Sequence, residues 1–277
     1  MSLVAELDPD AGSIALPFDQ FMPTFDDSEV LDLATQLEAA SCAGDQGVHY
    51  RIPARDTPPE YSQDTLDGPW TIAQAERFAF VRPMTDADLR GNGVVGAPEA
   101  GPAVERTDTV LADIPAESPH REIVEDCFAA NEITDRFGSA QSPSGPWMTE
   151  MSAAVTAAQA SDEADALRSE LRACYEQRGI AVDTSAFDAG RLGDTAGVAG
   201  ADSSLIDAQQ IELAIAVVEC KNDVGYTERA AALVAQAQAP VVVAYLDELR
   251  AFATELESTR DEAEQIITEH ADLTTTW

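Results

Sequence analysis

The stretch Ile211–Lys221, IELAIAVVECK, decides the fold, and it ends on the only lysine in the chain. Fifteen arginines supply the other fixed cations. A composition that has dropped lysine elsewhere keeps one here, closing a Glu-Cys-Lys triplet at the end of an apolar run. A short apolar run of this kind reads as a buried strand, and Leu205–Lys221 has room for one or two. Side chains alternate along a strand, so Glu219 and Lys221 share one face and Cys220 enters the opposite layer.

Downstream, Thr227 caps an expected helix running to about Gln238, with Ala230, Leu233, Val234 and Ala237 turned inward. Pro240–Tyr245, PVVVAY, then reads as a short buried strand. Two strands joined by a helix make a parallel βαβ unit. Upstream, residues 149 to 160 are alanine-rich and helical in pattern. Asp162–Arg178 is an amphipathic helix whose stripe is Ala164, Leu167, Leu171, Cys174 and Tyr175, stopped by Gly179. Ile180–Val182 starts a strand, and residues 188 to 204 form a loop. A long last helix covers Asp247–His270, with Leu249, Phe252, Leu256, Ala263 and Ile267 on one face. Its heptad-like spacing also suits an assembly surface.

The strand reading gives the triplet a chemistry. A bend near Ala208–Gln210 would bring the carboxylate of Asp207 beside that of Glu219. Two carboxylates, a backbone carbonyl and waters make an oxygen site suited to Mg²⁺ or Mn²⁺. An ammonium beside that ion can orient a water, lower its pKa and stabilise charge on a phosphate.

At these residues the chain resembles the PD-(D/E)xK nuclease superfamily, over roughly residues 162 to 246. The family order of helix, strands, acid, (D/E)-x-K strand, helix and strand is matched by helix 162–178, Asp207, Glu219-Cys220-Lys221, helix 227–238 and strand 240–245. The resemblance implies an α/β class: a restriction-endonuclease-like three-layer core with a central mixed sheet, beside an irregular, loop-rich N-terminal region. It implies Asp207 and Glu219 as metal ligands and Lys221 as the residue assisting the attacking water. Glu170 on the leading helix completes the ligand set, with Glu163 behind it. Asp202 competes with Asp207, and Ile206 stands where a proline is typical.

The N-terminal half is less regular. Residues 1 to 26 read as an extended arm with Phe18, Phe21 and Phe25 available for packing. A helix from Asp27 or Ser28 to about Ala43 stops at Gly44. Val48–Ile52 and Phe78–Val81 alternate like short strands, and residues 84 to 117 make a long excursion. Ser118 caps a further helix, with Pro119 in its first turn and Ile123, Cys127 and Phe128 inward. Residues 138 to 148, GSAQSPSGPWM, form the clearest linker, dividing an interaction region (1–147) from an α/β domain with its long C-terminal helix (148–277). The pattern Gly91-x-Gly93-x-x-Gly96 lacks a preceding strand and reads as a loop.

Fifty-one acids against sixteen bases give a net charge of −35. That self-repulsion opposes compaction in dilute buffer and is screened at molar salt, where the Debye length is about 3 Å. The composition fits a salt-adapted protein of a halophilic archaeon or of its virus. At high salt, counterion release loses its drive, so acidity does not exclude DNA as a partner. Cys42, Cys127, Cys174 and Cys220 lie far apart and read as buried free thiols in a reducing compartment. His49, His120 and His270 fall in separate segments. The N-terminus lacks a signal-peptide core, and no apolar run is long enough to span a membrane, which places the chain in a high-salt cytoplasm or in or on a virus particle. Two functions follow as expectations. One is a Mg²⁺-dependent DNA endonuclease. The other is a non-enzymatic structural or assembly protein, pairing through its N-terminal arm and C-terminal helix.

Overall fold

The structure, a computed structural model, describes residues 1–53, 59–62, 67–94, 109–142, 144–183 and 197–275. In chain order they form strands β1 (Glu6–Asp8) and β2 (Ser13–Ala15), then helix α1 (Phe25–Asp45) and strand β3 (Ile52–Pro53). Helices α2 (Ile72–Phe78), α3 (Asp86–Gly91), α4 (Pro119–Ala130), α5 (Glu132–Gln141), α6 (Pro146–Gln159) and α7 (Asp162–Gln177) follow. The chain continues through α8 (Ala208–Val224), α9 (Tyr226–Ala244) and α10 (Leu246–Glu269) to strand β4 (Thr274–Thr275).

The deciding stretch lies inside α8, and its helical logic is visible once period 3.6 replaces period 2. Ala214, Val217, Val218 and Lys221 stand at i, i+3, i+4 and i+7, and all four are buried. Asp207 caps the N-terminus by accepting from the backbone N–H of Gln210 at 2.8 Å. Gly225 ends the helix in the left-handed conformation (φ 61°), which costs a residue without Cβ little. A continuous apolar run suits a buried helix as well as a buried strand, and here length and caps select the helix. The same correction applies to PVVVAY. Residues 240–244 are the last turns of α9, which runs through Pro240. Pro240 has no N–H to give the carbonyl of Gln236, and that turn faces solvent, where water can serve it. The expected βαβ unit is therefore the helical hairpin α8–Gly225–α9.

Two compact units emerge, each from discontinuous segments. The first comprises Met1–Gln20, Thr57–Pro98 and Gly145–Leu246. Its core joins Leu167, Leu171 and Tyr175 of α7 to Ala214, Val217 and Val218 of α8, with Ala75, Phe80 and Tyr226. Each fully buried valine or leucine contributes about 1.5–3 kcal/mol. Cys174 of α7 and Cys220 of α8 form a disulfide across this core. The N-terminal arm starts with an antiparallel hairpin of β1 and β2 in the register Leu7↔Ile14. The arm packs on its own unit, and the Phe18 N–H donates to Gln238 Oε1 of α9 at 3.1 Å.

The second unit comprises Phe21–Asp56, Glu99–Ser144 and Asp247–Trp277. Helix α1 is its axis. Thr24 and Asp27 cap it reciprocally in a capping box. Its buried stripe of Val30, Leu31, Ala34 and Leu37 meets Val124 of α4, Phe137 of α5 and Leu256, Ala263 and Ile266 of α10. Cys42 of α1 and Cys127 of α4 form the second disulfide. β3 and β4 pair in parallel, Ile52 with Thr274.

These observations overturn the expected fold class. Among the described residues the sheets are two separate two-stranded pairs, and the rest of the regular structure is helical. Those residues form no central mixed sheet and no three-layer restriction-endonuclease-like core, so the resemblance to the PD-(D/E)xK superfamily does not hold. Phe78–Val81 is not a strand either, because Phe78 closes α2 and Ala79 turns the chain at φ 51°. The four cysteines are paired rather than free thiols. The helices expected over residues 149–160, from Ser118, over Asp162–Arg178 and over Asp247–His270 all form, with ends shifted by a few residues. Of the Gly-rich pattern, Gly91 ends α3, Gly93 lies in a turn and Gly96 falls outside the described residues.

Candidate functional site

Lys221 is 1% exposed, which is unusual for a lysine. Its ammonium donates to the backbone carbonyls of Asp67 at 2.5 Å and Pro69 at 3.0 Å. The loop can present both carbonyls because Asp67 and Gly68 are left-handed, at φ 60° and 79°. The Tyr226 ring lies 6.0 Å from Nζ, and the Tyr226 hydroxyl donates to Asp67 Oδ2 at 2.9 Å. Burial, and then the Asp67 charge, push the Tyr226 phenol well above its usual pKa, so it stays a donor. The lysine thus ties α8 to the 67–69 loop through hydrogen bonds given by a buried charge, the stronger class of such bonds.

The other expected site residues sit elsewhere. On a helix, residues two apart point about 200° from each other, so Glu219 faces away from Lys221. Glu219 pairs with Arg178, which also binds Asp223 at 2.7 Å. These two acids, Asp223 foremost, raise the Arg178 pKa. Asp207 is the N-cap of the same helix, and twelve residues at 1.5 Å per residue put it roughly 18 Å from Glu219 along the axis. Glu170 is held by Arg229 through contacts of 2.5 and 3.1 Å, and that bidentate grip lowers its pKa. Glu163 is exposed near the same arginine. Asp202 accepts from both the backbone N–H and the hydroxyl of Ser204, at 2.9 and 2.6 Å, which lowers its pKa. Asp207, Glu219 and Glu170 therefore do not converge on one Mg²⁺ or Mn²⁺. Among the described residues no group of three or more His, Cys, Asp or Glu is placed to hold a metal ion.

Two cavities lie inside the separate units. In the first unit, a cavity of about 30 Å³ is bordered by Asp67, Arg168 and Tyr226 together with apolar residues of α6, α7 and α9. Arg168 there is committed to the Gln159 carbonyl at 2.8 Å and to Asp165. The space holds about one water. In the second unit, a cleft of about 610 Å³ opens between the end of α1, residues 49–51, Thr109 and residues 270–273. It gathers His49 and His270, which are distant in sequence, with Tyr50, Arg51, Asp45 and Asp272. Sequence reasoning missed this grouping. It depends on the parallel pairing of β3 with β4, which brings the chain's end to the end of α1.

No single described helix is long and apolar enough to cross a membrane. Comparison with the profiles of known families, with curated proteins and with solved structures finds no match for this chain.

Proposed function

We propose that this chain is a non-enzymatic structural protein that assembles with copies of itself through the α6–α9 face of its first unit. The observation carrying this reading is a charge-poor surface, an uncharged run of α9 beside an α6 whose one charged residue is Glu150, on a chain of net charge −35. Residues 230 to 246, AAALVAQAQAPVVVAYL, contain no acid and no base. Ala232, Gln236, Pro240, Val243 and Ala244 are exposed along α9. Helices α6 and α9 run antiparallel, since Tyr245 bonds Glu150 at 2.5 Å while Ala158 shares a cavity wall with Ala230. That places exposed Met148 at the same end as Val243, which is 55% exposed. Two copies repel wherever their acids face each other, and this face lets them meet with least repulsion. A self-complementary patch of this kind suits a twofold pair.

The elements first expected to assemble are occupied within the fold. Residues 1–20 of the arm belong to the first unit, Phe21 is buried at the start of the second, and the apolar stripe of α10 fills the second unit's core. A disulfide in each unit suits a protein that works in an oxidising setting such as the exterior of a particle or cell. Sedimentation analysis in molar KCl tests the reading. The wild type should show a concentration-dependent dimer, and Val243→Glu or Met148→Glu should weaken it by about tenfold or more. A strict monomer at every concentration, or dimers indifferent to both substitutions, would remove it.

A further inference from the structure

The second unit's cleft holds charges of both signs that do not neutralise one another. Seven described arginines, Arg77, Arg121, Arg136, Arg168, Arg178, Arg229 and Arg260, pair with carboxylates. Arg51, like Arg90 and Arg250, has no ion pair among the described residues, although acids outnumber bases 51 to 16 and two of those acids line its own cleft. Asp45 and Asp272 likewise carry no ion pair there, so both stand more than 4.0 Å from the guanidinium. Tyr50 lies between these charges in the chain's path around the cleft. It is 3% exposed, belongs to the unit's apolar core, and has its hydroxyl closed off from the cleft.

These features share one cavity, and its volume of about 610 Å³ lies within the range of small-molecule sites. We infer that the cleft binds a small zwitterion carrying a carboxylate and an ammonium group. The planar fork of Arg51 suits the carboxylate, because guanidinium and carboxylate match bidentately. Asp45 and Asp272 at the cleft's edge receive the ammonium. A plain anion would leave the two aspartates unanswered, and a plain cation would leave Arg51 so. Arg51 is positioned from both sides: its backbone N–H donates to the Thr109 carbonyl at 2.7 Å, and its neighbour Ile52 pairs with Thr274. The site uses no residue of the α6–α9 face, so it stands or falls separately from self-assembly.

Calorimetric titration of the full-length oxidised protein in molar KCl tests the inference. The probes are unbranched ω-amino acids of increasing chain length, with monocarboxylates and monoamines of matching length as controls. One ω-amino acid length should bind saturably, and its matched carboxylate and amine should each bind about tenfold more weakly or worse. Arg51→Gln should cut that affinity by a similar factor. Asp272→Asn, at an exposed position that leaves the core intact, should do the same, and it serves as the second variant if Arg51→Gln misfolds. Absence of saturable binding by every probe would overturn the inference. So would a carboxylate binding as tightly as its zwitterion, or affinity unchanged by Asp272→Asn.

Discussion

The cation at the core of the first unit and the cation at the core edge of the second are held in opposite ways. In the first, the lone lysine is buried at the centre and serves two backbone carbonyls. In the second, Arg260 sits at the edge of an apolar core, one-third exposed, and binds Asp26 at 2.8 Å, Asp27 and Glu264. The difference follows from the side chains. An ammonium is a compact head on a flexible stem and reaches converging carbonyls inside a core, whereas guanidinium is a planar fork suited to carboxylates. An acid-rich chain can meet every surface need with arginine. It keeps lysine where a narrow buried space must be filled and two converging carbonyls served.

Reduction should produce the largest effect and should sharpen the contrast. The Cys42–Cys127 link closes a sequence separation of 85 residues and the Cys174–Cys220 link one of 46. The chain-entropy relation gives roughly 4–5 kcal/mol for each, slightly more for the longer loop. Hydrogen exchange with and without reductant should show both units losing protection, the second by slightly more. Lys221→Met comes next. It keeps volume but leaves the Asp67 and Pro69 carbonyls buried without their donor, at a cost of about 3 kcal/mol confined to the first unit. Equal loss in both units would break the comparison.

How legible this was in the sequence differs between the units in the same way. Helix α10 and the core face of α7 were readable because their apolar stripes alternate with acids, so periodicity has contrast. Helix α8 was not, because Ile211–Val218 is apolar on nearly all sides and the burial of both Cys220 and Lys221 hides its polar face. The i, i+3, i+4, i+7 placement of Ala214, Val217, Val218 and Lys221 was the available signal. Reading Glu219 and Lys221 as strand neighbours produced both the metal site and the α/β fold, and one change of period removes both. The cysteine pairs, and the cleft that His49 and His270 both line, depend on contacts across the chain that spacing cannot supply.

Smaller effects belong to the second unit. Arg260→Ala should cost about 1 kcal/mol or less, because its ion pairs are partly exposed and screened by salt. Asp27 gives a pH signature. Burial pushes its pKa up, but hydrogen bonds from Thr24 and Arg260 outweigh that and hold it below the ordinary value. A depressed folded pKa means the stabilisation is complete above the unfolded value of about 3.9 and is lost as pH falls through the folded one. Acid titration of the second unit's melting should show that loss, and Asp27→Asn should flatten it while leaving the first unit's profile unchanged.

The buried lysine is the central claim, and its being the only one in the chain makes it directly measurable. An amine-reactive acylating reagent applied to the native, oxidised protein in molar KCl can modify only Lys221 and the N-terminal amine, and mass spectrometry separates the two sites. The structure predicts rapid labelling of the N-terminus and labelling of Lys221 only as fast as the first unit opens, rising in denaturant to the rate of a solvent-exposed ε-amine. Rapid acylation of Lys221 in the native state would place the ammonium in solvent and contradict the clasp on which the first unit is built.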